Sequence, residues 1–230
     1  FKGFSYFTEM SDIINRLEDH VASARMKTTP VIDFEKNESL KGLDYLDTIY
    51  HAIVNEHPIQ LKYRSFKARS ANSFIFYPYL LKEYRNRWFV YGVRGNGRIL
   101  QNLALDRIQS LEVLPQEHYI KNTFFDPNTF FNDLVGVTKN SGSVAEKVGF
   151  KVAAAEAPYI ITKPIHRSQQ VVERLADGSV ILEIKVVINH ELERVFFGYA
   201  EGIQVLYPKT LVELMGRKLK KAAEQYTHSK

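Results

Sequence analysis

The chain has 230 residues, 45% of them hydrophobic and 25% charged, with a net charge of +5, a balance ordinary for a globular protein of one large or two modest domains. It has no cysteine, which excludes a disulfide framework and thiolate zinc sites and fits a reducing, cytoplasmic setting. No apolar run approaches the roughly 18 to 20 residues of a membrane span, and the opening FKGFSYFTEM has neither a signal-peptide core nor an initiator Met, so the chain reads as part of something longer.

Residues 8–25 place Met10, Ile13, Ile14, Leu17 and Val21 on one helical stripe. Thr28, Thr29 and Pro30 end that pattern, and a polar connector leads to a second amphipathic stretch with Leu43, Leu46, Ile49, Tyr50 and Ile53, stopped by Pro58. The period then becomes two. Ile59, Leu61 and Tyr63 alternate with Gln60, Lys62 and Arg64, a half-buried strand. ANSFIFYPYLL, RWFVYGV, RILQNLAL and RIQSLEVL supply four more strands, with Pro78 forcing an edge or bend and GNG at 95–97 a tight hairpin. Five short antiparallel strands after a helix predict a small, partly closed barrel of the SH3-like or Sm-like kind.

The rest has a different grammar. FFDPNTFFNDLVG predicts a short docked helix and KNSGSVAE a loop. EKVGFKVAA, APYIITKP, QQVVERL with SVILEIKVV around the Asp177-Gly178 turn, HELERVFFGYAEG closed by Gly202, and IQVLYP follow the order β-α-β-β-α-β, the ferredoxin-like arrangement. A final helix starts with Pro208 near its first turn and is expected to turn Leu211, Leu214, Met215, Leu219 and Ala222 inward. The expected architecture is α+β: a helical linker region over 1–57, the barrel over 58–115, a connector over 116–145, and a ferredoxin-like domain with its terminal helix over 146–230.

Charge is unevenly placed. Residues 62–107 carry ten Lys or Arg against Glu83 and Asp106, whereas residues 1–60 carry six basic and ten acidic side chains. Interleaved with those cations are Tyr63, Tyr77, Tyr79, Tyr84, Trp88 and Tyr91. Aromatic faces stack on bases and Lys or Arg track phosphates, so this segment points to an anionic, nucleic-acid-like partner. Strand parity in RWFVYGV puts Trp88, Val90 and Gly92 on one face, with Trp88 as core anchor. Arg87, Phe89, Tyr91 and Val93 take the other, making Tyr91 the better ligand-facing ring. The candidate binding set is Tyr63, Arg64, Tyr77, Arg87, Tyr91, Arg94 and Arg107. Four of them have a plainer reading: solvation for Arg64 and Arg87, partial burial for Tyr63, and an ion pair with Asp106 for Arg107.

Chemistry motifs are not found. There is no G-x-S-x-G elbow, phosphate-cradling G-x-x-x-x-G-K or H-E-x-x-H helix, and GNGR is a hairpin turn rather than a dinucleotide loop. His190 and Glu193 at i, i+3, with His166 elsewhere, suit surface polar residues better than metal ligands. No catalytic residue, metal or cofactor is assigned, and the expectation is a non-enzyme.

IQLKYRSF, FYPYLL, NRWFVYGV and LALDRIQSLEVL, in this order and spacing, resemble the WYL-domain transcriptional regulators of bacteria. The name-giving Trp-Tyr-Leu stands here as Trp88-Phe89-Val90, and Asp106-Arg107 match the family's Leu-Asp-Arg-Ile stretch. Residues 146–226, including PIHRSQQVV, DGSVILEIKV and IQVLYPKTLVELM, resemble the C-terminal extension that follows many WYL domains, and FEKNESLKGLDYLDTIYHAI also fits the group. The resemblance implies an Sm-like or SH3-like barrel that senses single-stranded nucleic acid or a nucleotide. It further implies a homodimer, and DNA contacted through an N-terminal winged helix-turn-helix outside these residues. Phe89 lacks the family tyrosine's hydroxyl, and Ala104 stands where many members carry Arg, leaving Arg94, Arg98 and Arg107 to supply charge. The alternative is a dimerisation scaffold for a DNA-binding head, with no ligand of its own.

Overall fold

The computed structural model describes residues 41–227 apart from Asn96 and Arg98; the stripe expected over 8–25 lies outside the described residues. Contacts divide the chain into two units, Phe1–Phe125 and Asp126–Lys230. The architecture is mixed α+β with two antiparallel sheets.

In the first unit a 3-10 turn at Leu43–Tyr45 leads into α1, Leu46–Val54. Leu46, Ile49 and Ala52 recur every three residues on one helical face, and all three are buried. They pack with Ile59, Leu61, Phe76, Val90, Leu103, Leu105 and Ile108 into one core. The strands are β1 (Ile59–Tyr63), β2 (Asn72–Tyr84), β3 (Arg87–Arg94), β4 (Gln101–Ala104) and β5 (Ile108–Val113), in the order β4-β3-β2-β1-β5. Arg85 and Asn86 turn β2 into β3 with φ of 51° and 63°, the left-handed pair of a two-residue hairpin. The Asn86 N–H donates to the Glu83 carboxylate across this turn.

Among the described residues no ladder joins β4 to β5, so the expected barrel is an open sheet. It is nevertheless strongly curled. Only the 3-10 turn Leu105–Arg107 separates the two edge strands, and four peptide steps reach at most about 14 Å. The outer strands of a flat five-stranded sheet would stand about 19 Å apart. Four-residue β4 is spent on β3.

β2 carries a bulge. Pro78 pairs with Gly92 and Leu80 with Tyr91, leaving Tyr79 as the extra residue. The core face therefore passes from the even positions Phe74 and Phe76 to the odd position Leu81. The opposite face, with Tyr77, Tyr91 and Val93, is covered by the segment after β5. Tyr119 meets Tyr77 and Tyr79 edge-on at 6.0 and 6.2 Å and donates to the Pro78 carbonyl. Tyr79 donates to the Ile120 carbonyl at 3.0 Å. Phe125 stacks on Tyr91 with 5.9 Å between centroids. Burial raises the pKa of both Tyr79 and Tyr119.

The second unit opens with Asp126, whose carboxylate accepts from the Asn128 N–H and caps the single turn α2, Pro127–Phe130. Then come β6 (Glu146–Val152), α3 (Ala157–Thr162), β7 (Gln170–Arg174), β8 (Val180–Val186), α4 (His190–Phe197), β9 (Ile203–Tyr207) and α5 (Lys209–Thr227). The β-α-β-β-α-β order is as expected, and the strands lie in the order β7-β8-β6-β9, every pair antiparallel. Val148, Phe150 and Val152 of β6 meet Leu182 and Ile184 of β8 and Ile160, Leu192 and Phe196 from α3 and α4. On the other face the Tyr207 ring lies over Gly149, where a Cβ would stand 2.1 Å from it. The Tyr207 hydroxyl donates to Glu183 at 2.9 Å, and Lys147 pairs with the same carboxylate at 2.8 Å.

Two details differ from the sequence expectation. α4 ends at Gly198 rather than Gly202, because Ala200 takes φ 43° and the chain re-enters as a 3-10 turn before β9. In α5 only Leu211 and Met215 are buried, whereas Leu219 is 42% exposed and Ala222 is also exposed. All five residues of the edge strand β7 are exposed, with a register break between Val171 and Glu173.

Asn189 caps α4, accepting from the Leu192 N–H at 2.9 Å, and donates to the Val135 and Thr138 carbonyls. His166 ties the loop before β7 in a similar way: its Nδ1 lies 2.8 Å from Ser168 Oγ and it reaches the Asn132 backbone. Glu193 pairs with Lys218. Burial, reinforced by Arg167, lowers the pKa of His166 below its ordinary 6.5. The unfolded chain thus binds this proton more readily, and acidification through pH 6.5 removes stability. Asp177 and Glu183 are lowered from ordinary values of 3.8 and 4.5, by Ser179 and by Lys147 respectively, so their losses come at lower pH. The urea midpoint followed by circular dichroism should therefore fall between pH 7 and roughly pH 5.5, and His166→Gln should flatten that fall. An unchanged slope in the variant would refute the assignment.

Candidate functional site

β1 ends in Tyr63, which shares the core face with Ile59 and Leu61 through pairing with β2. The chain then leaves the sheet as the loop 64–71, RSFKARSA, with three cations in eight residues. The Arg64 N–H donates to the Arg107 carbonyl at 3.1 Å, which ties this loop to the turn between β4 and β5. Two arginines sit here, each laid on a phenylalanine. The Arg107 guanidinium is 4.5 Å from the Phe66 ring centroid, and that of Arg94, at the end of β3, is 4.2 Å from Phe74. Such stacking holds a planar cation while leaving its edge donors free to face an anion.

Beside Arg94 and Phe74 opens a pocket of about 190 Å³, lined also by Tyr63, Ser65, Asn72 and Gln101 among others. Its size suits one planar ring or a phosphate rather than a large cofactor. The Tyr63 hydroxyl is within hydrogen-bonding reach of the Arg107 guanidinium and the Ala104 backbone N–H. Burial raises its pKa, and Arg107 partly opposes that rise. Arg107 Nε is itself buried, as is Oδ1 of the neighbouring Asp106, and neither has a hydrogen-bond partner within the protein.

Of the seven candidates, Tyr63 and Arg94 line the pocket and Arg107 adjoins Tyr63. Arg64 is exposed on the adjoining loop, its Nε 3.5 Å from the Ala68 carbonyl. Arg87 sits apart, with Nε 3.4 Å from Asp106. The ion pair expected within Asp106-Arg107 is thus made by Arg87 instead. Tyr77 and Tyr91 do not present rings to solvent: they are 9% and 2% exposed beneath Tyr119 and Phe125. This corrects the expectation from parity that Tyr91's face is open. The pocket lies on the other face, the one Trp88 shares, at the open end of the core.

Trp88 packs against the core as expected. Arg98 lies outside the described residues. Phe66 and Phe74 escaped the sequence reading. Phe66 had a usable signal, a lone ring among cations in a loop, where it is 73% exposed. Phe74 had none, since aromatic residues in strands are ordinary core. Among the described residues no group of His, Asp or Glu has metal-ligating geometry, and no helix is long and apolar enough to cross a membrane.

The chain matches the WYL domain model over residues 44–113 and the WCX domain model over residues 145–223. Among solved structures it is similar to Proteasome accessory factor B/C (PafBC) of Arthrobacter aurescens, with 16% identity and a TM-score of 0.33 over 83% of this chain and 28% of that one. It is also similar to a CRISPR Cas-related protein, with 12% identity and a TM-score of 0.47 over 81% of this chain and 52% of that one. The chain therefore spans between a quarter and about half of these two proteins' lengths. No curated protein matches it significantly.

Proposed function

The chain belongs to the WYL-domain regulators, with a WCX domain behind the WYL domain, and from this we propose that it is the effector-sensing and dimerising portion of a transcriptional regulator. The effector is a nucleic-acid-derived anion, single-stranded nucleic acid or a nucleotide. Arg94 and Arg107 meet its phosphates, and Tyr63 with Phe74 forms the apolar side of the pocket. DNA is contacted by a separate helix-turn-helix head. We read residues 58–115 as an SH3/Sm-like unit that is curled but unclosed, and 146–230 as ferredoxin-like, from its β7-β8-β6-β9 strand order.

One observation carries the ligand reading: Arg94, laid on Phe74, lines a pocket together with Tyr63, and Arg107, laid on Phe66, adjoins Tyr63. Titration with short single-stranded oligonucleotides at two salt concentrations tests it. Affinity should fall as salt rises, by about 0.7 log units per log unit of salt for each phosphate contact. No binding at low salt, or binding indifferent to salt, would sink the phosphate-contact version. The scaffold reading draws support from Arg87, Tyr77 and Tyr91, whose partners within the unit account for them without a ligand.

A further inference from the structure

The last three turns of α5 are exposed, held to their unit by the Lys218–Glu193 ion pair. Leu211 and Met215 are buried, but every residue from Gly216 to Thr227 is exposed, a projection of about 18 Å at helical rise. The projecting part is not polar all round. Met215, Leu219, Ala222 and Tyr226 follow at intervals of four, three and four residues, which keeps them on the face that Leu211 already buries. Leu219 is 42% and Tyr226 86% exposed. An apolar stripe continuous with the core thus runs on along an exposed helix face.

Charge narrows what covers it. Residues 216–227 carry Arg217, Lys218, Lys220 and Lys221 against Glu224 alone. Pairing with the same helix of another copy would set two such basic surfaces together. The complementary partner is in this chain's own sequence. Residues 8–25 carry Glu9, Asp12, Glu18 and Asp19 against Arg16 and Arg25, and Met10, Ile14, Leu17 and Val21 repeat the same four, three, four spacing. Two stripes of equal length and heptad-like spacing, one on an acidic segment and one on a basic helix, are what a two-helix seam requires.

We propose that the projecting end of α5 docks residues 8–25 of a second copy of this chain, so that each protomer gives one segment and receives one. This rests on the dimerising role proposed above and names its contact. The exchange is isologous and closes at two copies, with two equivalent seams. Bulky Ile14 and Leu17 pack where α5 offers the small side chain of Ala222.

The absence of native cysteine makes the test clean. In the full chain, Ile14→Cys with Ala222→Cys should form an interchain disulfide under mild oxidation. It should form at least about tenfold faster than Ile14→Cys with Lys220→Cys, whose second thiol lies across the helix. Light scattering of the wild type should report a dimer. A monomer would remove the dimerising role and the proposal with it. A dimer in which both pairs oxidise alike, or neither does, would leave the role standing and overturn the docking. So would a disulfide closed within one chain, or rapid crosslinking of Ala222→Cys alone, which would place α5 against α5.

Discussion

Replacing Arg94 and Arg107 together by alanine is expected to weaken binding of a short single-stranded oligonucleotide by roughly a hundredfold at low salt. A hydrogen bond to a charged group contributes about 1.5–3 kcal/mol, so losing two costs about 3 kcal/mol or more, a factor of roughly a hundred. The same double variant should lower the salt dependence by about 1.4 log units per log unit of salt, two contacts' worth for a single strand. Substitution by lysine in both places separates charge from shape. It keeps both cations and much of the salt slope, but loses the planar group that lies on Phe66 and Phe74. Affinity between wild type and double alanine is therefore expected. Because alanine also removes stem packing, each variant is checked by the emission of Trp88, the single tryptophan of the chain, which lies in the first unit. Unchanged affinity in a folded double-alanine variant would leave the scaffold reading in possession of the field.

Gly92→Ala should destabilise the first unit by about 3 kcal/mol or more. An added Cβ would stand 2.1 Å from the Tyr77 carbonyl oxygen and 2.8–2.9 Å from the Phe76 ring. The ring is fully buried, and the carbonyl belongs to the strand backbone beside the bulge, where Gly92 faces Pro78. Neither neighbour can give way without breaking the β2–β3 register, so the cost lies at or above the usual 1–3 kcal/mol of overpacking. Urea unfolding followed by Trp88 fluorescence reads this directly. Circular dichroism should show the second unit unfolding near its original midpoint, since that unit has its own core. A Trp88 midpoint within error of wild type would mean that β3 accommodates the methyl group and that the close approach is not needed.

Much of the fold was legible because local patterns carried it. Ile59, Leu61 and Tyr63 alternate in sequence and share a face in the sheet, and the β-α-β-β-α-β order of the second unit follows from the change of period alone. The site was less legible, for three physical reasons. The Tyr79 bulge shifts the core face of β2 by one residue, so alternation read straight through FIFYPYLL assigns half the strand wrongly. The rings of Tyr119 and Phe125 reach Tyr77 and Tyr91 from 42 and 34 residues away in sequence, and no periodicity encodes such a contact. In α5 the stripe was visible but its covering was not: spacing states which residues share a face, not whether anything lies against it. Arg87 adds a smaller case. Solvation or a ligand was expected for it, and Asp106 took it instead.

The exposed β7 strand bears on how the molecule behaves when crowded. Its valines, Val171 and Val172, are 43% and 57% exposed on a strand whose outer edge has no partner among the described residues. Such an edge templates further strands and seeds fibrils when it is long, flat and regular. This one is five residues long, its register breaks at Val172, and it ends in Glu173 and Arg174. A strand added from another molecule would meet interrupted hydrogen-bonding positions and then two charges. The same irregularity that spoils β7 as a ladder lets the second unit carry surface valines at high concentration without recruiting its neighbours into a growing sheet.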